Sequence, residues 1–311
     1  MHAAVVTAFD SPPVYREFPV PAPGPGQVLT DVLAAGLHPR VRSQANGSHY
    51  TSSGDLPLVP GVDGVGRTPD GATRYFILED TTMGAMAEQT AIDPRRSVVL
   101  ADGSDPVAIA AAMNPAMSSW VALRRRISFQ PGQRVLILGA TGNAGRLAIQ
   151  VAKYLGAGQV IGAGRQPDKL AELAGLGADL TVTLDRAELG KAAADVDVVL
   201  DYVWGEPTAA AMAAIVTARA DRSQPLSWVE IGSLAGITAA IPSAALRAAR
   251  LQLVGSGQGS VPTSDIVAEL SDLAAVITSG AFQLNVKAVP LAGVTAAWSA
   301  PGSHQRLVIV P

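Results

Sequence analysis

The chain has 311 residues, 48% hydrophobic and 16% charged, with a net charge of −3 and no cysteine. That length favours two domains over one core, and the charge gives no basic footprint for nucleic acid or an anionic membrane. The absence of cysteine excludes disulfides, thiolate chemistry and sulfur-ligated metal.

No run of about 18 uninterrupted apolar residues predicts a membrane span. The opening MHAAVVTAFD lacks a basic leader and reads as a first strand, so cytoplasmic residence is expected.

Residues 1–118 read as short strands broken by turns. AAVVTAF and QVLTDVLAAG are apolar and β-branched, and the Pro/Gly connector FPVPAPGPGQ between them runs extended. LPLVPGVDGVGR, RYFILED and MAEQTAI continue the pattern, which predicts a barrel-like β domain. PVAIAAAMNPAMSSWVALRRR is Ala-rich and helical in period, with an interruption predicted at Pro115. Its Arg124-Arg125-Arg126 run reads as a solvated helix end rather than a binding patch.

From residue 133 strands and helices alternate. VLILG, QVIGAG, LTVTL, DVVLDYV and LSWVEIG are strands, separated by helices such as AGRLAIQVAKYLG and TAAAMAAIVTAR. This alternation predicts βαβ units on a parallel sheet. IVAELSDLAAVITSG adds an amphipathic helix and RLVIV a closing strand.

The stretch VLILGATGNAGR places Gly139, Gly142 and Gly145 three residues apart where a strand turns into a helix. A helix N-terminus presents unpaired N–H groups and partial positive charge, which a diphosphate satisfies when no side chain blocks its approach. Thr141, Asn143 and Ala144 share that turn, and Gly145 would let helix and strand pack closely. The spacing G-x-x-G-x-x-G is weak alone; its place at the first of several βαβ units points to a dinucleotide. An NAD-preferring site carries Asp or Glu about 20 residues beyond the glycines. Here the second strand ends at Gly164 and Arg165 follows, with Lys169 one helical turn later. A guanidinium suits a 2′-phosphate, so NADP is expected over NAD.

Taken in order, PAPGPGQVLTDVLAAG, LPLVPGVDGVGR, GATGNAGRLAIQVAKYLGAGQVI, DVDVVLDYVWG, SWVEIGSLAG, LQLVGSGQG and RLVIV span the whole chain. With these motifs it resembles the medium-chain dehydrogenase/reductase superfamily, and within it the zinc-free quinone oxidoreductases of the zeta-crystallin-like group. The resemblance implies an α/β fold: a Rossmann doubly wound parallel sheet inserted into a GroES-like β-barrel catalytic domain, with the active site in the cleft. The domains would be 1–118 (catalytic), 119–261 (NADP-binding) and 262–311 (return to the catalytic domain). It also implies a homodimer, with LQLVGS as the pairing edge strand.

Zinc-dependent members carry a Cys in the segment matching Gly36-Leu37-His38 and a His-Glu pair matching Val62-Asp63. His38 and Asp63 alone fall short of three ligands, so no metal is expected. The quinone oxidoreductases usually have Asn-Pro where this chain has His38-Pro39, and an aromatic residue near Ser43; these departures weaken the quinone label more than the hydride chemistry. His38 reads either as a proton donor or substrate contact in the cleft, or as a loop-wall residue bonded to backbone. His49 and Tyr50 lie where the family places substrate contacts, or are plain surface residues.

Ser118 matches a family Thr or Ser near the nicotinamide. It would hold the carboxamide, relay a proton, or simply cap a helix start. Asn114 is a comparable local candidate. Gly232 and Ser233 would border the nicotinamide half, and Gly255, Ser256 and Gly257 match a loop that approaches the cofactor.

The expected activity is zinc-independent, NADPH-dependent reduction of a small molecule, a quinone or α,β-unsaturated carbonyl. Such acceptors need less electrophilic help than a simple ketone. The alternatives are an NADPH-dependent ketone or aldehyde reductase, and a catalytically weak nucleotide-binding protein.

Overall fold

The structure, a computed structural model, describes residues 1–300 and 305–311. The chain divides into two compact units, Met1–Asn114 with Ile266–Pro311, and Pro115–Asp265.

The first unit is built on a seven-stranded sheet whose hub is the long strand Val28–Leu37. Along one edge that strand pairs antiparallel with Gln89–Ile92 and then with Arg306–Val310; along the other it pairs antiparallel with Asp63–Arg67. Asp63–Arg67 pairs in turn with Thr73–Ile77. Val286–Pro290 adds to the closing strand in parallel. Alternation of the apolar side chains puts Ala35, Leu37, Phe76 and Ile309 into one core with Met86 and Ile92.

The second unit carries six parallel strands in the order Leu180–Thr183, Gln159–Gly164, Arg134–Leu138, Val198–Asp201, Leu226–Glu230, Leu251–Gly255. Successive strands first step one way from Arg134–Leu138, then cross to its other side. The strand order therefore reverses beside Arg134–Leu138, and the crevice outside its carboxyl end is where such sheets bind ligands. The central strands are buried on both faces, as in the fully buried run Val135–Leu138, which is why they read as continuous apolar runs. Trp228, Met212, Ile215 and Val199 anchor one side of this sheet.

The predicted interruption at Pro115 is corrected. The α-helix runs unbroken over Pro106–Val121 with Pro115 inside it, then widens into a π-turn over Ala122–Arg126. An interior proline costs about 3 kcal/mol. Ile109 and Met113 of this helix are 1% and 0% exposed, and burying two such side chains, at about 1.5–3 kcal/mol each, offsets that cost. Pro106–Arg126 is long and apolar enough to cross a membrane by length and composition, but its apolar stretch is mostly buried inside the protein, as in a core helix.

Candidate cofactor and active site

The glycine turn leads from the strand Arg134–Leu138 into the helix Asn143–Tyr154. Gly139 has φ +83°, a conformation that excludes most side chains. Gly142 is the N-cap and supplies no side chain to the first-turn N–H groups, so these remain available to an anion. A Cβ on Gly145 would lie 2.6 Å from Ala140 Cα and against the Gly139 carbonyl, so this glycine brings the helix down onto the turn. Gly164 is bound to the same turn, since its Cβ would lie 2.9 Å from Thr141 Cγ2. Arg165, just past the second strand, is exposed, and Lys169 is half-buried in the next helix, Pro167–Ala171. Neither makes an ion pair among the described residues. An uncapped helix N-terminus, a glycine cradle and two unpaired cations fit a phosphorylated dinucleotide.

The floor of the crevice rests on Asp201, at the carboxyl end of Val198–Asp201 and 0% exposed. Its Oδ1 accepts from the backbone N–H of Val203 (2.9 Å) and Trp204 (3.1 Å). Its Oδ2 accepts from Thr208 Oγ1 (2.6 Å) and Trp228 Nε1 (2.9 Å). Four donors satisfy a carboxylate that burial would otherwise penalise. They also hold Trp204 at φ 53° and ψ −167°, a region open almost only to glycine and costing on the order of 1–3 kcal/mol.

The segment after the next strand runs alongside, with Gly232 N–H donating to Asp201 O (3.1 Å) and Ala235 N–H to Val203 O (2.8 Å). Gly232 thus lies on the crevice floor, with Ser233 exposed beside it. Gly255 ends the edge strand, and Ser256 N–H donates to Glu230 O (2.8 Å). Burial, and then the charge of Asp201, push the Glu230 carboxyl above its usual range. The arginine run is more than a solvated helix end: Arg126 Nε donates to Gly255 O (2.6 Å), and Arg124 stacks over Trp120.

Ser118 joins this floor through a residue that the sequence reading did not single out. Its Oγ lies 2.9 Å from the Tyr202 hydroxyl and donates to Pro115 O at 2.7 Å. Ser118 is not a helix-start cap, because it lies deep in Pro106–Val121. Asn114 is half-buried in the same helix.

In the first unit, His38 follows the hub strand and precedes the helix Pro39–Ala45. It is 3% exposed. Its partner is a carboxylate rather than backbone: Nε2 lies 2.9 Å from Asp63 Oδ1, and Asp63 Oδ2 accepts from the Tyr75 hydroxyl at 2.8 Å. Asp63 and Tyr75 lie diagonally on neighbouring strands. Arg306 adds a buried cation whose Nη1 donates to Leu37 O at 3.2 Å. Burial lowers the His38 pKa, against the opposing pull of Asp63, so the ring is neutral near pH 7. Nε2–H then donates to Asp63 Oδ1, a tautomer assigned from the network, and Nδ1 is left as a buried acceptor with no partner among the described residues.

His49 and Tyr50 form a separate group. Their rings meet at 4.2 Å with a 32° tilt, and His49 Nδ1 lies 2.7 Å from Thr51 Oγ1, which also accepts from Arg40. Burial, then the Arg40 charge, bring His49 down to about 4. Tyr50 is 73% exposed. Among the described residues no three His, Cys, Asp or Glu side chains cluster as metal ligands.

A parallel sheet with this strand order, a glycine-entered helix at its switch point and a separate barrel-type unit define an oxidoreductase architecture. No family model matches the chain. A probable NADPH-dependent quinone reductase, tdiC, of Emericella nidulans is 32% identical over 359 aligned positions covering 100% of both chains. The 2-methylene-furan-3-one reductase of Solanum lycopersicum is 28% identical over 193 positions, 57% of this chain and 50% of that protein. The crystal structure of a quinone oxidoreductase from Thermus thermophilus, solved also with NADPH, superposes with a TM-score of 0.82 at 25% identity, covering 100% of each chain. The chain belongs to the zinc-free quinone oxidoreductase group of the medium-chain dehydrogenase/reductase superfamily.

Proposed function

We propose that the protein reduces a quinone or an α,β-unsaturated carbonyl with NADPH. One observation carries the cofactor half of this reading: the uncapped helix N-terminus at Gly142–Gly145 beside Arg165, with no carboxylate at the end of the second strand. Bound NADPH would supply the hydride. Gly139, Thr141, Gly142, Asn143, Ala144 and Gly145 would hold the pyrophosphate, and Gly164 keeps the neighbouring strand close. Arg165 and Lys169 would take the 2′-phosphate. Gly232, Ser233, Gly255 and Ser256 would border the nicotinamide half, with Ser118 at the carboxamide. Residues 119–261 form the cofactor domain in this reading, and 1–118 with 262–311 the substrate domain; the two compact units support that division.

On the substrate side, neutral His38 is buried with its Nε2 on Asp63 and its Nδ1 closed off from solvent, so it stands behind the substrate wall rather than protonating an oxygen. Tyr50, a phenol with one O–H to donate, is then the better proton source, and His49 and Asn114 are substrate contacts. Conjugated acceptors suit this arrangement, because their developing charge is delocalised and asks little of the protein. The edge strand Leu251–Gly255 is half-buried to exposed along its length, which supports pairing with a second copy in a homodimer. Residence in the cytoplasm without membrane or nucleic-acid partners fits the net charge of −3.

The test is loss of NADPH absorbance against a panel of quinones, enones, simple ketones and aldehydes. Turnover is expected with quinones or enones well ahead of ketones. Faster turnover of ketones, or NADPH binding without oxidation across the panel, would overturn the reading. In the same assay Arg165→Asp should weaken NADPH binding about tenfold to hundredfold while leaving NADH unchanged. Equal losses for both cofactors would remove the 2′-phosphate role.

A further inference from the structure

Trp204 is the only residue other than glycine at positive φ among the described residues, with φ 53° and ψ −167°. Glycine takes that backbone freely, whereas a residue with a side chain is strained there. The conformation is fixed from both sides. Asp201 Oδ1 accepts from the Trp204 backbone N–H at 3.1 Å. Across the loop, a Cβ on Gly205 would lie 3.1 Å from the Ala235 carbonyl, and Ala235 N–H donates to Val203 O at 2.8 Å. The loop has no slack in which the tryptophan could relax.

The indole is not spent on the core. Trp204 is half-buried and lies outside the cluster that Trp228, Met212 and Ile215 build. Its Nε1–H has no acceptor among the described residues, yet it is not shut away as a buried atom, so it reaches solvent. Topology sets its place. Asp201 pairs in register with Leu138, so its strand ends level with the one that enters the glycine turn. A Cβ on Gly139 would lie 3.1 Å from Cγ2 of Val203, the residue before Trp204. A partly open aromatic ring on a strained loop therefore borders the crevice where the strand order reverses.

We propose that Trp204 is a stacking platform for a flat heteroaromatic ring of NADPH, adenine or nicotinamide, and that the strained backbone holds the indole in that place. This rests on the cofactor reading given above. Both rings present a π-face, and stacking on an aromatic side chain is a major part of the affinity for such a ring. A platform fixed before the ligand arrives also saves the cost of ordering it on binding. Glycine at this position would spare the strain and supply no ring.

The test is calorimetric titration of NADP+, without any acceptor substrate, into the native protein, Trp204→Phe, Trp204→Ala and Trp204→Gly, with a urea unfolding curve for each. Trp204→Ala should weaken NADP+ binding about five- to hundredfold. Trp204→Phe, which keeps a flat ring, should recover most of that loss. Trp204→Gly also lacks the ring but accepts the backbone. It should unfold at a higher urea concentration than Trp204→Ala, yet bind NADP+ as weakly. Weak binding in a variant whose backbone is relieved separates stacking from a structural role. Titration with 2′,5′-adenosine bisphosphate, which carries adenine and no nicotinamide, assigns the ring. An equal loss in Trp204→Ala puts adenine on the indole; an unchanged affinity puts the nicotinamide there. Native NADP+ affinity in Trp204→Ala, or its recovery in Trp204→Gly, would overturn the stacking role and leave the cofactor reading intact. A urea midpoint no higher in Trp204→Gly than in Trp204→Ala would overturn the role of strain. Failure of the native protein to bind NADP+ would remove the cofactor reading and the stacking role with it.

Discussion

Two buried carboxylates, Asp201 in the parallel unit and Asp63 in the barrel-type unit, are 0% and 1% exposed and solve the same problem differently. Asp201 is surrounded by four donors that do not titrate near neutral pH: two backbone N–H groups, a threonine and an indole. Asp63 has two donors, a tyrosine and a histidine, and the charge of Arg306 nearby. The first arrangement is a permanent fastening for the loop that carries Tyr202 and the strained Trp204. The second contains a titratable ring, and that histidine's Nδ1 has no partner among the described residues. A rigid cofactor floor and an adjustable substrate wall would need such a contrast.

The largest expected effect comes from removing each carboxylate. Asp201→Ala strands four donors and should cost about 4–12 kcal/mol, at about 1–3 kcal/mol for each buried group left unpaired. That is much of the stability of an ordinary domain. Asp63→Ala strands two and should cost about 2–6 kcal/mol on the same basis. Urea unfolding of the two variants measures both; a loss in Asp63→Ala equal to that in Asp201→Ala would break the contrast.

Acid should act through the barrel-type unit. In the unfolded chain His38 and His49 take a proton near 6.5, whereas the folded protein holds both below that, His49 at about 4, chiefly by burial. As pH falls below about 6.5 the unfolded state binds more protons, so stability drops, and it goes on dropping towards the folded values. His38→Gln should be less stable at pH 7 but decline less steeply below 6.5. Thr208→Val, which alters only Asp201's surroundings, should leave the slope unchanged. Unfolding midpoints across a pH series decide the matter, and equal slopes in native protein and His38→Gln would show that the His38–Asp63 pair carries no pH dependence.

Much of the parallel unit was legible in the sequence because its signals are local. The alternation of strands and helices, the three glycines and Arg165 are each contiguous or follow a fixed count along the chain. The helix start at Asn143 and the close packing at Gly145 followed from backbone chemistry alone. What stayed hidden were pairings set by strand register and tertiary packing. Ser118 meets Tyr202 across 84 residues, Asp201 meets Trp228 across 27, and His38 meets Asp63 across 25. The one available signal was an Asp ending the apolar run DVVLD, since a carboxylate in so apolar a strand must find donors. At Pro115 a sound local rule was outweighed by burial of the helix around it.

The smallest and sharpest comparison removes one hydroxyl from each carboxylate. Thr208→Val deletes the 2.6 Å bond to Asp201 Oδ2, and Tyr75→Phe the 2.8 Å bond to Asp63 Oδ2. By hydrogen-bond chemistry alone the two should cost alike, about 1.5–3 kcal/mol for a bond to a charged acceptor. What remains on each oxygen differs. Asp201 Oδ2 keeps Trp228 Nε1, whereas Asp63 Oδ2 keeps no donor among the described residues. Thr208→Val should therefore fall near the bottom of that range and Tyr75→Phe near the top, a gap of about 1 kcal/mol. The sign of that gap is the informative quantity. If Thr208→Val costs more, Arg306 is compensating Asp63 through space and the barrel-type carboxylate is the better satisfied of the two. The double variant Tyr75→Phe/Arg306→Met would then lose more than the sum of its parts.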